Sequence, residues 1–354
     1  MMKHLLGIVL GSLLVLISCD SRVTDVQIPP GQVSKGVYVL NEGNFGDPVG
    51  ARLSFFDLLT DSVYFDLFEG ANGGAHLGST GDDLVLANGK LYAVMSGSEN
   101  ITVMDTSTHM MIQSATLAGS SPHSIAIDEL RGKVYVTQLF AGSVLVMDLT
   151  TLTIELTVPT GLNPQGMIIV GDILFVCNSG YGGDKTVTAI STVTNTVVMN
   201  IPVGDGPTDA VLGADGNLWV ACTGNAFGSP PSFGSVYVVN PLSLVVLDSL
   251  IFPENLWGDI VTGNDGTLYL LGVTSGSFYG GPVHRILPSS RAIDLNYIQG
   301  TYYSLSADIV SGRLYVADAN DFQSDGEVNI HEPDGTFVDS FPAQRGPGAM
   351  VFRY

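Results

Sequence analysis

Charge is scarce in this 354-residue sequence, and what there is carries one sign: 34 Asp and Glu face 13 Lys and Arg, a net of −21. A surface so short of bases repels phosphate backbones and anionic headgroups, which excludes nucleic acid and acidic membrane faces as partners. With only 13 % of residues charged, long amphipathic helices with polar outer faces are not expected. Cysteine is down to three. Cys177 and Cys222 have no CxxC partner and no metal-ligand cluster nearby, so no metal is expected. Both read as buried free thiols, because equivalent strands of neighbouring repeats stand too far apart for a disulfide. Long apolar runs are missing as well, apart from Leu5 to Ile17, which is too short to span about 30 Å of hydrocarbon as a helix. No GxSxG elbow, HExxH, P-loop or Ser–His–Asp order is present, so no catalytic residue is named.

What the chain has in quantity is glycine, 43 residues in all, and the glycines are placed regularly. Gly89-Lys90-Leu91-Tyr92, Gly132-Lys133-Val134-Tyr135, Gly216-Asn217-Leu218-Trp219, Gly266-Thr267-Leu268-Tyr269 and Gly312-Arg313-Leu314-Tyr315 each run a glycine turn into an apolar strand. Looser copies stand at Gly36-Val37-Tyr38 and Gly171-Asp172-Ile173-Leu174-Phe175. The aromatics at 38, 92, 135, 175, 219, 269 and 315 are 54, 43, 40, 44, 50 and 46 residues apart. A period in this range signals radial or solenoid repetition. Each repeat divides into four short strands, and the third ends on Asp57, Asp105, Asp148 or Asn240, side chains suited to closing a tight turn. Seven four-stranded antiparallel units make an all-β, seven-bladed β-propeller over residues 36–354. Pro347 to Phe352 reads as an inner strand that the first repeat lacks. The C-terminal strand is therefore expected to complete blade one and close the ring.

The N-terminus reads as a processing signal. Lys3 and His4 precede the apolar run, and Leu16-Ile17-Ser18-Cys19 looks like a bacterial lipobox. The expectation is a lipoprotein signal peptide over 1–18, then a lipidated Cys19 and a tether over 19–35. Membrane attachment would come through the lipid alone, at the outer membrane, facing the cell surface or the periplasm.

Loop lengths separate two faces of the propeller. Nine to eleven residues run from inner strand to aromatic, whereas 13 to 21 run from the aromatic to the end of the third strand. The link from blade one to blade two is also long, 26 residues against 16 to 19 elsewhere. Both excesses are expected on one face, and insertions collecting on one face of a repeat protein mark its binding side. The candidate ligand contacts there are Asn44, Phe45, His76, His123, Phe140, Tyr181, Phe227, Trp257, Tyr279, Tyr303, Phe322 and Arg345. Asn41, Gln138, Asn178, Asn225, Phe233, Phe278 and Asn320 accompany them in the loops. Aromatics mixed with amides suit a ligand needing apolar area and a few placed hydrogen bonds. Two rivals remain: a lactonase-like hydrolase using His123, His76, Glu254 and Arg345 at the channel mouth, and a protein-interaction platform. Asp82, Asp83, Asp209 and Asp259, at inner-strand starts around the axis, either bond backbone amides or hold a hard cation.

Val37-Tyr38-Val39-Leu40-Asn41-Glu42-Gly43-Asn44, Gly81-Asp82-Asp83-Leu84, and Tyr315-Val316-Ala317-Asp318-Ala319 with Asp325-Gly326-Glu327-Val328 resemble YVTN/YncE-type surface lipoproteins of Bacteroidota. The resemblance spans residues 36–354. It implies a seven-bladed propeller at the outer membrane, often beside a TonB-dependent transporter. It also brings in the BtuG-type members, which capture cobalamin. The expected function is therefore capture of a bulky, corrinoid-like nutrient and its handover to a transporter, with cobalamin as cargo and no resident cofactor.

Overall fold

The glycine-led strands are apolar on both faces: Lys90–Met95 and Ile173–Asn178 are buried at every position after the first. A strand buried on both faces needs cover on both, and in a radial array the neighbouring blades supply it. The computed structural model describes residues 31–44, 46, 47, 50–274 and 279–354. Within them the chain forms seven four-stranded antiparallel sheets. The expected leader, Cys19, most of the tether, Phe45 and Phe278 lie outside the described residues.

Blade one is built from both ends of the propeller segment. Pro347–Arg353 is its inner strand, paired antiparallel with Gly36–Asn41, with Tyr38 opposite Val351. Arg52–Asp57 and Ser62–Tyr64 complete it. The other inner strands are Gly81–Ala87, Pro122–Asp128, Pro164–Val170, Pro207–Leu212, Leu256–Thr262 and Ser304–Ala307. Each touches the next around the axis, and Ser304–Ala307 touches Pro347–Arg353 to close the ring. Seven hydrophobic clusters lie among the described residues, one between each pair of adjacent blades. All seven repeat aromatics are buried in these layers, and burying such a side chain is worth about 1.5–3 kcal/mol.

The aromatic hydroxyls do more than fill space. Tyr38 donates to the Thr106 carbonyl at 2.9 Å, Tyr135 to Asn195 Oδ1 at 2.9 Å, and Tyr269 to the Pro333 carbonyl at 3.1 Å. In each case the acceptor lies in the third-to-fourth-strand turn of the following blade, so one face is stapled blade to blade. The turn acids behave as expected. Asp105 Oδ1 accepts from the Ser107 and Thr108 amides, and Asp148 Oδ1 from those of Thr150 and Thr151. Cys177 and Cys222 are free, buried, and members of one cluster.

Two details depart from the sequence reading. The inner strands of blades two to six begin earlier than expected, because each carries a bulge near its start. An extra residue there breaks the strand's alternation and re-aims side chains. The long link from blade one to two is the second. Its excess is not a surface loop alone: Leu67–Ala71 forms a short helix whose Phe68 is buried in the layer between blades one and two. Asn72 then bonds the Phe68 and His109 carbonyls and the Met111 amide. This insertion substitutes for the outer part of a short fourth strand, so it is scaffold.

Candidate functional site

The inner-strand bulges face the channel mouth, and they contain Asp82, His123 and Trp257. His123 Nδ1 lies 3.1 Å from Asp82 Oδ1. Asp83 takes the other direction: Oδ2 accepts from Ser124 Oγ at 2.8 Å and the Ile125 amide at 2.9 Å. Asp209 accepts from the Ala210 and Ile260 amides, and Asp259 from Leu305. Asp83, Asp209 and Asp259 thus tie each inner strand to the next blade's inner strand, which is the backbone-bonding alternative weighed for them. Among the described residues no group of three His, Cys, Asp or Glu side chains is arranged to hold a metal ion.

Glu42 is the centre of the site. It follows strand Gly36–Asn41 and is fixed by its amide to the Gly346 carbonyl (2.8 Å), with Gly43 bonded to the Arg345 carbonyl (3.0 Å). Gly348 leaves room for it, since a Cβ there would stand 2.8 Å from Glu42 Oε1. Tyr303 donates to that oxygen at 2.6 Å. The Tyr303 carbonyl in turn accepts from Trp257 Nε1 at 3.0 Å. Burial pushes the Glu42 carboxyl up to about 8, and the charges of Asp82 and Asp259 add to that; the Tyr303 hydrogen bond and His123 work against it. Burial alone would lower His123, but the Asp82 hydrogen bond and charge, with Asp83 and Glu42, outweigh it and raise it. Burial raises Asp209 to about 8, helped by Asp259, and raises Asp259 to about 6.

Three rings stand nearly perpendicular to one another beside Glu42. Tyr303 and Phe322 are 4.8 Å apart at 89°, Tyr279 and Phe322 4.7 Å at 87°, and Tyr279 and Tyr303 6.3 Å at 82°. Trp257 packs on the far side of Tyr303 at 6.0 Å. Phe322 holds φ at 56°, a left-handed backbone uncommon for a bulky residue and kept only where surrounding contacts enforce it. Together Glu42, Gly43, Asn44, Thr80, Phe322 and Gln323 line a cleft of about 490 Å³.

Of the candidate contacts, the structure therefore brings together Asn44, His123, Trp257, Tyr279, Tyr303 and Phe322. Arg345 adjoins them through its backbone, and its Nε is buried with no hydrogen-bond partner among the described residues. Phe140, Tyr181 and Phe227 stand on blades three to five, 71, 65 and 100 % exposed, and of these Tyr181 is within electrostatic reach of Asp82 at the mouth. His76 is exposed and lies 3.7 Å from Glu69, beside the blade-one helix. Several amides placed in loops by the sequence are instead strand ends. Asn41 bonds the Val39 and Arg52 carbonyls and Ser54 Oγ, Asn178 bonds Thr186 and Thr188, and Gln138 accepts from Ser143. They close the second-to-third-strand hairpins.

Nor do the four residues suggested for hydrolysis converge. Glu254 Oε1 lies 2.9 Å from Nε2 of the buried His284, whose Nδ1 accepts the Asn296 amide. That second bond places the ring proton on Nε2, which stands close to Glu254 but makes no well-aligned hydrogen bond among the described residues. Burial drives His284 down to about 4. Gly272 is needed here because any Cβ would collide with the His284 ring.

Residues 35–279 match the family described as Domain of unknown function (DUF5074). No protein of curated function matches the chain. Among solved structures, the fold is similar to a quinonprotein alcohol dehydrogenase-like protein from Bacteroides thetaiotaomicron, at a TM-score of 0.70 and 15% identity, over 90% of this chain and 78% of that one. It is similar to a 6-phosphogluconolactonase-like protein from Bacteroides fragilis, at 0.69 and 12%, over 92% and 100%. A virginiamycin B lyase from Staphylococcus aureus gives 0.59 and 13%, over 76% and 87%. At these identities the likeness is one of fold. The family match covers most of the chain, so the chain belongs to DUF5074. Glu42, Asp82, His123, Trp257 and Tyr279 lie inside the match; Tyr303 and Phe322 lie beyond it.

Proposed function

We propose that this DUF5074 member is a binding protein that captures a bulky small molecule of mixed polarity over the channel mouth. The observation that carries the reading is the cleft beside Glu42, where a carboxyl group anchored by Tyr303 meets a group of interlocked rings on the face with varied loops. Pre-packed aromatics give contact area at little ordering cost, and a few fixed polar groups orient the ligand. The finer proposal is a corrinoid, with cobalamin as the cargo. It would be held at the outer membrane through lipidated Cys19 and passed to a TonB-dependent transporter. Calorimetric titration of the purified protein with cyanocobalamin tests the cargo: saturable binding at micromolar or tighter affinity is expected, and none would remove the corrinoid. Fractionation of Cys19→Ala tests the anchor, the expected outcome being release from the membrane fraction. Co-purification of a transporter tests the handover.

A second reading rests on His123 and Asp82, a hydrogen-bonded pair at the mouth of a propeller whose fold resembles a lactonase-like protein. Such a pair would serve a lactone hydrolase as base and orienting acid. Turnover of simple lactones that disappears in His123→Ala would establish it, and absence of turnover would leave capture as the function.

A further inference from the structure

The lining of the mouth cleft has a chemical bias. Its side chains offer a carboxyl group from Glu42, amides from Asn44 and Gln323, a hydroxyl from Thr80 and one ring from Phe322, and no Lys or Arg is among the described lining residues. Among the described residues Glu42 has no ion pair with Lys or Arg; its bond is to the neutral Tyr303 hydroxyl. Asp82 and Asp259 act on Glu42 through their charges, and His123 is the opposing group among the leading influences. An anionic ligand would meet repulsion there. A hydrocarbon would strand the carboxyl and both amides.

We propose that the cleft seats a protonated primary amine of its ligand, with the ammonium on the Glu42 carboxylate and an apolar or aromatic body against Phe322. The inference rests on the capture reading in its broad form, a bulky molecule of mixed polarity, and stands as an alternative to the corrinoid, whose side chains are amides and carry no ammonium. A primary ammonium has three donors and no acceptor, matching a lining rich in oxygen acceptors. A cation bound against the face of a ring gains a further attraction that desolvation strengthens. The ammonium also replaces a proton. Free Glu42, raised to about 8, is mostly protonated at neutral pH and ionises when the cation arrives, releasing its proton to solvent. Binding therefore strengthens as pH rises toward 8. The groups facing Glu42 are Tyr303, Asp82, His123 and Asp259. His123, raised above its ordinary range, acts in the same direction as it loses its charge.

The test uses benzylamine and its uncharged counterpart benzyl alcohol, titrated into the intact protein by ligand-observed NMR and calorimetry. Benzylamine is expected to bind about tenfold tighter than benzyl alcohol, with a heat that varies with the buffer's own ionisation enthalpy. Glu42→Gln, which keeps the shape and the Tyr303 contact, should abolish both the preference and the buffer dependence. Equal binding of the two probes, or a preference unchanged in Glu42→Gln, would overturn the proposal. The buffer dependence is read on the unaltered protein, so it decides even if the variant misfolds. Cobalamin binding without any amine preference would sink this inference and leave the capture reading standing. Binding of neither cobalamin nor the probes would overturn both.

Discussion

The varied face has two sectors built from the same kind of residue. On blades six and seven, Trp257, Tyr279, Tyr303 and Phe322 pack ring to ring and connect through Tyr303 to Glu42. On blades three to five, Phe140, Tyr181, Phe227 and Phe233 stand 59 to 100 % exposed, and none makes a contact with another ring among the described residues. An aromatic side chain is thus not a site by itself. Rings that hold one another have already lost their freedom, so a ligand gains their contact area cheaply. Isolated exposed rings must be ordered on binding, which suits a broad partner surface better than a small molecule.

The most damaging way to break the comparison is to remove what both sectors share. Deleting residues 347–353 takes away the inner strand of blade one, opens the hydrophobic layers on both sides of that blade and removes Gly348 from beside Glu42. Loss of a single cooperative thermal transition is expected; a melt like that of the full chain would contradict closure by that strand.

Next in size is the effect of pH on stability, which the mouth carboxyls dominate near neutral pH. Glu42 and Asp209, both raised to about 8, hold protons in the folded state that the unfolded chain has released above about pH 5. The folded state binds more protons, so stability falls as pH rises through this window, by at most about 1.4 kcal/mol per pH unit for each proton. His123 is raised and contributes in the same direction. His284, lowered to about 4, opposes them up to the ordinary histidine range, as do His109 and His331, which burial also lowers. The clean window is therefore pH 6.5 to 8, as the approximate bounds set by these groups. Thermal melts should show Tm dropping across it, and less steeply in Asp209→Asn. A flat or rising Tm would mean that the mouth carboxyls are ionised in the folded protein.

A smaller and sharper contrast comes from truncating one ring in each sector. Phe322→Ala is expected to weaken ligand binding by about 1–2 kcal/mol, the scale of an anchor in a packed patch. Phe227→Ser, at a fully exposed loop position, should change stability by less than about 0.5 kcal/mol and leave small-molecule affinity untouched. Calorimetry and melts on the same preparations read both.

The scaffold was legible because it repeats. Seven aromatics at near-constant spacing, turn acids such as Asp105 and Asp148, and a spare C-terminal strand each follow from local chemistry, and the structure places them accordingly. The site, by contrast, is assembled from residues far apart in the chain. Glu42 is one acid among 34, and what singles it out is a tyrosine 261 residues away. The only sequence signal was its place between a strand end and Gly43. Asn41 and Asn178 show the converse difficulty. An amide that closes a hairpin reads the same in sequence as one that faces a ligand, and the partners across the strands decide which it is. The helix at Leu67–Ala71 hid for a related reason: its apolar Phe68 lies in a segment counted as loop, and only the layer it fills reveals it as scaffold.

The central claim is that the interlocked rings beside Glu42, and not the exposed rings of blades three to five, form the small-molecule site. Calorimetric titration of cyanocobalamin into Phe322→Ala and Phe140→Ala, side by side with the parent protein, tests it most directly. The expected result is an affinity about tenfold weaker for Phe322→Ala and unchanged for Phe140→Ala. Equal losses in both, or a loss confined to Phe140→Ala, would contradict it.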